Sequence, residues 1–478
     1  MKSFLKFSKI TLSAMVGGLL FLYSCSDQLV DDVAKGEVSA VQAEITLGEN
    51  PDATGVSEIS SDMTLTAGNT YVLNQFVRVL SGVTLTIQPG VTIKGKKGTL
   101  SGDPATGTPP GTLIIERGAK IKAEGTASSP IIFTSYEGAP APGDWGGVVI
   151  LGKAPVSNND TDPQIEGVPE GTTGDNSYGG NKETDNSGVM QYVRIEYAGN
   201  TLTNGNETNG LTLAGVGNGT VIDHVQVSHG NDDGFEFFGG TVNAKYLISY
   251  RNRDDDFDTD QGYTGKIQYG IVLRDANRYV DFPANGFESN GDNDDASANF
   301  TDGTFANFTV IGPIKNDCSQ GTVNAAYNSG AILRDASSLD VFNSVFMGFP
   351  NYQFELASDA GTNLQFDGNV LVVPNYAGAQ GTNATSGFTV LTANTCDAAA
   401  SPFTFAMSER AGLTANSWSF NDTFSVMPIS GSTLNSGASW TNAKVSTDAF
   451  FDKVTFRGAM GYNAVQNWNF NSNWTSFN

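Results

Sequence analysis

Histidine and cysteine are almost missing from this chain. Its 478 residues hold two histidines, His224 and His229, and three cysteines, Cys25, Cys318 and Cys396. A histidine-rich zinc centre is therefore excluded, and a two-histidine-plus-carboxylate site would use the whole supply. Basic residues are scarce as well: 26 Lys and Arg stand against 50 Asp and Glu, a formal net charge of −24. Nucleic acid is not an expected partner, because phosphate recognition needs clustered Lys and Arg. A cation, or a ligand bridged through cations, suits this balance better, although acidity also serves solubility alone. No G-x-S-x-G elbow and no Walker-type phosphate loop occur. No apolar face at i, i+3, i+4 is sustained, so long helices are not expected.

One apolar run does occur, at the start. Lys2, Lys6 and Lys9 precede it, and it extends from Ile10 to Ser24. It is short and rich in small residues for a membrane span, and it reads as a secretory signal over residues 1–24. Its end, Leu22-Tyr23-Ser24-Cys25, resembles the bacterial lipobox, which implies acylation of Cys25 and anchoring through more than one acyl chain. An acidic tether is expected over 25–60. Its acidic stretch after Cys25 resembles the surface-export signal of Bacteroidetes-type lipoproteins, which implies an outer-membrane location on the surface or periplasmic side. Cys318 and Cys396 lie in polar, loop-like segments. An oxidising compartment would permit them to pair, and spacing alone leaves that open.

Glycine is abundant, at 56 residues, and Asn, Asp, Ser and Thr accompany it along the chain. Between these turn formers lie short β-branched and aromatic runs, the mark of an all-β chain. The runs repeat. "LTIQPGVTIKG" from Leu85 and "LIIERGAKIKAEG" from Leu113 match at an offset of 28, and "GIVLRD" from Gly270 matches "GAILRD" from Gly330 at an offset of 60. Self-similarity at this scale predicts a solenoid.

The most telling series is built on phenylalanine. Phe235 in "DGFEF", Phe257 in "DDFDT" and Phe287 in "NGFES" are separated by 22 and 30 residues, about one coil each of a parallel β-helix. Stacked in register, they form an interior ladder, which "FEL" at Phe354 extends. Period-two alternation then puts Glu236, Asp258 and Glu288 in an outer column. Carboxylates one strand apart, ~4.8 Å, repel, so a cation, a basic neighbour or solvent must compensate.

Longer motifs carry a family resemblance: "GDWGGVVILGKAPV", "HGNDDGFEFFGGTVNAKYLISY", "DDDFDTDQGYTGKIQYGIVLRD" and the late "FDKVTFRGAMG" and "NWTSFN". With the repeats above, they resemble a largely uncharacterised group of Bacteroidetes-type envelope lipoproteins and secreted proteins. That resemblance implies a pectin-lyase-like, single-stranded, right-handed parallel β-helix. The expected domain spans 61–478, with long loops, capped ends and irregular C-terminal coils from about 390. The strands around Phe451 to Gly458 are expected to cap the stack. Fold alone does not license an activity.

Two neighbouring coils concentrate acid: Asp232, Asp233 and Glu236, then Asp254, Asp255, Asp256, Asp258 and Asp260. An oxygen-only set suits calcium. "DTDQG" is not an EF-hand loop, because Gln261 stands where Gly is required and no closing Glu follows. Some β-helix polysaccharide lyases place calcium beside a basic residue: the metal neutralises a uronate carboxylate, and the base removes the acidified C5 proton. Lys266 is the candidate base, against a plain ion pair with the Asp cluster. Trp145 and Arg274 are candidate ligand contacts, against core packing for Trp145. The expected function is a lipid-anchored envelope protein that binds a glycan or other nutrient, calcium-dependent, with an outer-membrane importer as a candidate partner. The alternatives are a polysaccharide lyase or hydrolase on the same scaffold, and an adhesion or structural protein without a catalytic site.

Overall fold

The computed structural model describes residues 43–47, 50–99, 107–157, 162–169, 171–203, 205–275, 283–291, 300–314, 323–374, 377–392, 428, 432–462, 468 and 472–477. Cys25, Cys318 and Cys396 lie outside them.

Short strands of Val, Ile, Leu, Phe and Thr alternate along the chain, and nearly all of them pair in parallel with the strand one coil away. The result is a right-handed parallel β-helix of two long ladders, one of 11 strands (sheet B) and one of 17 (sheet A). The coils begin earlier than residue 61: Glu44–Leu47 pairs with Thr70–Leu73, and Val56–Ile59 pairs with Phe76–Val79. Leu47, Val56 and Ile59 are buried, so this stretch is coil and not tether. Alternation of inward apolar side chains was sufficient to fold it despite its acidic neighbours.

Sheet A changes character along the molecule. In the first coils it is two separate legs. Strand Gly188–Glu196 joins them, pairing through Gly188–Gln191 with Lys120–Glu124 and through Val193–Ile195 with Ile131–Ser135. The bend falls on Tyr192, which has positive φ. His224, Tyr246, Tyr269, Asn307 and Asn343 repeat that conformation in the following coils. Left-handed backbone is costly outside glycine. Stacking offsets the cost: ring centroids are 4.4 Å apart for Tyr192–His224, 4.3 Å for His224–Tyr246 and 5.0 Å for Tyr246–Tyr269.

The register of sheet B aligns Phe235 with Phe257 and Phe257 with Phe287. All three rings are fully buried. Phe235 and Phe257 stack at 4.9 Å, and Phe257 meets Phe287 edge-on at 5.7 Å. Through Ala331, the ladder continues to Phe354.

Both sheets also carry apolar residues on their outer faces, and each outer patch has a cover. On sheet B, Ile114, Val149, Leu151 and Phe238 are buried beneath Ile165, Val168 and Tyr178 of the loop that precedes strand Gly188–Glu196. On sheet A, Ile248, Ile271, Leu273, Ile311 and Val345 lie beneath Phe456, Trp468, Trp474 and Phe477. This C-terminal strap runs back along the stack. Ser439 N donates to Asn343 Oδ1 (2.7 Å), Asp452 N to Gln268 Oε1 (2.8 Å), Ser476 N to Gln226 Oε1 (2.9 Å), and Arg194 Nη1 to Asn473 O (3.0 Å). The expectation that Phe451 to Gly458 cap the stack is therefore corrected. They lie along its flank, where Phe451 packs with Ala306 and Phe342, and Phe456 covers the apolar outer face of sheet A.

Candidate metal centre

The turn entering each sheet-B strand sets the acidic groups in rows. Asp233, Asp255 and Asn285 each stand two residues before a ladder phenylalanine. Each one accepts from the backbone of the next coil: Asp255 N donates to Asp233 Oδ1 at 2.7 Å, Asn285 N to Asp255 Oδ1, and Ser329 N to Asn285 Oδ1 at 3.1 Å. This ladder fixes the turns and commits one oxygen of each carboxylate.

Just beyond the turns, alternation aims Glu236, Asp258 and Glu288 outward in one column. Together with Asp232, Asp254, Glu207 and Glu166 they line a cavity of about 390 Å³. Nine carboxylates face it, with Asn209, Asn285 and Asn328; Arg334 is the one cation among its lining residues. Two groups are tight. Asp232, Asp233 and Asp254 can bring one oxygen each to within 4.8 Å of one another, and so can Asp233, Glu236 and Asp258. Asp233 belongs to both.

The electrostatics follow from that crowding. Burial raises the carboxyl groups of Asp232, Asp233, Glu236, Asp255 and Asp258 well above the ordinary carboxylate range, and like charges add to it. Glu166, hydrogen-bonded to Glu236, is raised to about 7, chiefly by burial. Glu288 is held otherwise, by Arg334 and by Asn290 Nδ2 at 3.1 Å. Asn209 donates to Glu236. Asp258 Oδ1 is buried with no hydrogen-bond partner. An orphaned buried carboxylate oxygen in an all-oxygen donor set fits a hard divalent cation.

Six of the eight predicted acidic residues meet at this cavity: Asp232, Asp233, Glu236, Asp254, Asp255 and Asp258. Asp256 does not. It is fully buried in an ion pair with Arg274 at 2.5 Å and accepts from Ser249. Asp260 lies one alternation further along the strand, where its Oδ1 accepts from Gln261 N (2.6 Å), and it is not among the cavity residues. Arg274 is corrected from ligand contact to internal brace. Wholly buried, it also donates to Asn252 O (3.1 Å) and Asn285 O. Trp145 is likewise buried, stacked on Phe133 at 6.3 Å, with Nε1 donating to Glu196 O (2.7 Å). Its glycine neighbours admit the ring into the core rather than expose it. Gly95 leaves no room for a Cβ beside it. Lys266 lies on sheet A and pairs with Asp448 of the strap, so it is not a base for the acidic cavity on sheet B.

Sequence reasoning missed Glu166, Glu207 and Asn209. Glu166 arrives on the covering loop, where Ile165 N donates to Asn176 O (2.9 Å) and Gly167 N to Asn206 Oδ1 (2.6 Å). No repeat spacing marks a residue delivered from a loop. Asn209 carried a signal that was passed over, since it stands two residues before Leu211 as Asp233 stands before Phe235.

Among the described residues no helix is long and apolar enough to cross a membrane. No curated protein and no solved structure matches the chain. A family model, the pectate-lyase-like β-helix domain, matches residues 57–421, and this chain belongs to that family.

Proposed function

We propose that this chain is a lipid-anchored envelope protein whose sheet-B cavity binds divalent cations, calcium foremost, and through them an acidic glycan or similar nutrient. The supporting observation is the convergence of nine carboxylates on one cavity, with a buried, unpartnered oxygen on Asp258. Such a set is unstable when fully ionised and empty, and hard cations with six to eight oxygen ligands are the natural counter-charge. A cation held at the rim keeps coordination positions for carboxylate or hydroxyl oxygens of a sugar. Acylation at Cys25 places the protein on the outer membrane in this reading, beside an importer that would receive the ligand.

The test is direct. Metal analysis of the purified protein should find calcium, and thermal unfolding should shift upward with calcium relative to chelator. Free cation at a hundredfold above Kd stabilises by about 2.7 kcal/mol. Asp258→Asn should abolish most of that shift. Identical melting in calcium and chelator, with no metal bound, would sink the proposal.

The lyase alternative loses Lys266 as its base. Arg334 is the guanidinium that borders the cavity, and it is engaged by Glu288 and by Asn290 Oδ1 at 2.7 Å. Incubation with polyuronates, read for unsaturated product, separates the enzyme from the binding protein.

A further inference from the structure

The strap is held to the coils by hydrogen bonds and by ion pairs such as Lys245 with Asp452 and Lys266 with Asp448, and at one point by a lysine set between two carboxylates. Lys444, in the short helix Ala443–Ser446, reaches two carboxylates on the coil stack. Its Nζ lies 2.5 Å from Asp340 Oδ2 and 2.6 Å from Asp302 Oδ1. Asp340 opens a sheet-A strand, and its side chain is fully buried. Its Oδ1 accepts from Gln365 N at 2.6 Å, so the carboxyl is fixed with its other oxygen turned to the amine. Phe342, Val445 and Phe451 pack together close by in sequence. Asp302 is more open, with 45% of its side chain exposed.

The other described lysine ion pairs lack this combination. Lys97 meets buried Asp144 only at 3.4 Å and is itself 60% exposed, while Lys245 and Lys266 each pair with one carboxylate that water reaches. Among the described residues only Lys444 has a buried carboxyl as one partner and a solvent-facing carboxylate as the other.

We propose that Lys444 and Asp340 join in an intramolecular amide bond, with Asp302 as the proton carrier, so that the strap is tied covalently to the coil stack. The ammonium of Lys444 gives a proton to Asp302, which passes it to solvent. The free amine attacks Cγ of Asp340, forming the N–C bond. Asp302 then takes the second amine proton and delivers it to the departing hydroxyl, which leaves as water. Overall, one ammonium and one carboxylate become one amide and one water, and no oxidant or cofactor is needed. The electrophile must be the neutral acid, and burial raises Asp340 to about 6, so about one molecule in ten carries it protonated at pH 7. The two contacts hold Lys444 as its ammonium, its pKa raised. Only a minority is therefore free amine at any moment, but one turnover per molecule has the lifetime of the protein in which to occur. Held in contact, the pair gains the effective molarity of an intramolecular reaction.

The test is peptide mapping of the full-length protein by mass spectrometry after denaturation and proteolysis, a readout indifferent to N-terminal processing. The expected result is a branched peptide joining the segments around Asp340 and Lys444, lighter by one water than the two linear peptides combined. Lys444→Arg keeps the ion pair and should restore both linear peptides. Asp302→Asn keeps the amine and should leave the bond largely unformed. If wild-type protein yields only linear peptides after prolonged incubation at pH 7, or if the branched peptide persists in Lys444→Arg, the proposal is overturned. Circular dichroism of each variant separates loss of the bond from loss of the fold.

Discussion

At the residue scale, the acidic cavity makes a signed prediction about pH. Glu166 titrates near its ordinary value of 4.5 in an unfolded chain and near 7 in the fold, because burial disfavours its charge. A raised carboxyl means that the folded state binds the extra proton, so its contribution is full below the unfolded value and is lost as pH rises through the folded one. In chelator, the melting temperature should therefore fall between about pH 4.5 and 7, and Glu166→Gln should flatten that slope. A melting profile of wild type that is flat or rising over this window would contradict the assignment. The same burial explains which roles the sequence misassigned. Arg274 and Asp256 look like surface charges in a run of aspartates, yet they form a buried pair that no neighbour in sequence announces. Trp145 among glycines reads equally well as exposed or enclosed, and only packing against Phe133 decides.

At the scale of elements, the phenylalanine ladder was legible because its two causes are local. A spacing of about one coil and strict alternation along each strand are both present in the letters, and together they place Phe235, Phe257 and Phe287 inside and their acidic neighbours outside. Phe257 touches Phe235, Phe287, Phe305 and Phe308 at centroid distances of 4.9, 5.7, 5.2 and 6.3 Å for Phe235, Phe287, Phe308 and Phe305 in turn. Phe257→Ala should cost about 3–5 kcal/mol in urea unfolding. A loss under about 1 kcal/mol would mean that the ladder is not close-packed. The covering elements were not legible for the converse reason. The outer apolar residues Ile114 and Val149 on one sheet, and Ile248 and Ile271 on the other, break the simple in–out pattern. Their covers come from 16 or more residues away in the loop that carries Ile165 and Val168, and from the far end of the chain in the strap.

At the scale of the whole molecule, a solenoid has only neighbour-to-neighbour contacts unless something spans its coils. The strap spans them, from Asn343 back to Arg194. Deleting residues 432–478 should uncover the stacked corner residues Tyr192, His224 and Tyr246, and turn one cooperative unfolding transition into several. The check is urea unfolding followed in parallel by tryptophan fluorescence and far-ultraviolet circular dichroism. Coincident transitions in the truncated protein would show that the coils are coupled without the strap.

The strap doubles back before it ends: Tyr250 Oη donates to Phe477 O at 3.1 Å, on strand Asn243–Tyr250 in the middle of sheet A. Asn473 Nδ2 donates to Ser128 O at 3.1 Å, beside strand Ile131–Ser135, which lies three ladder steps from the opening strand Glu44–Leu47. Three steps amount to ~14 Å. From there Phe477 lies a further three steps along the stack, through strands Gly188–Glu196 and Val221–Ser228 to Asn243–Tyr250, so a linker from tail to head would have to cover twice that distance. A reporter fused after Phe477 would therefore sit beside the middle coils instead of at either tip.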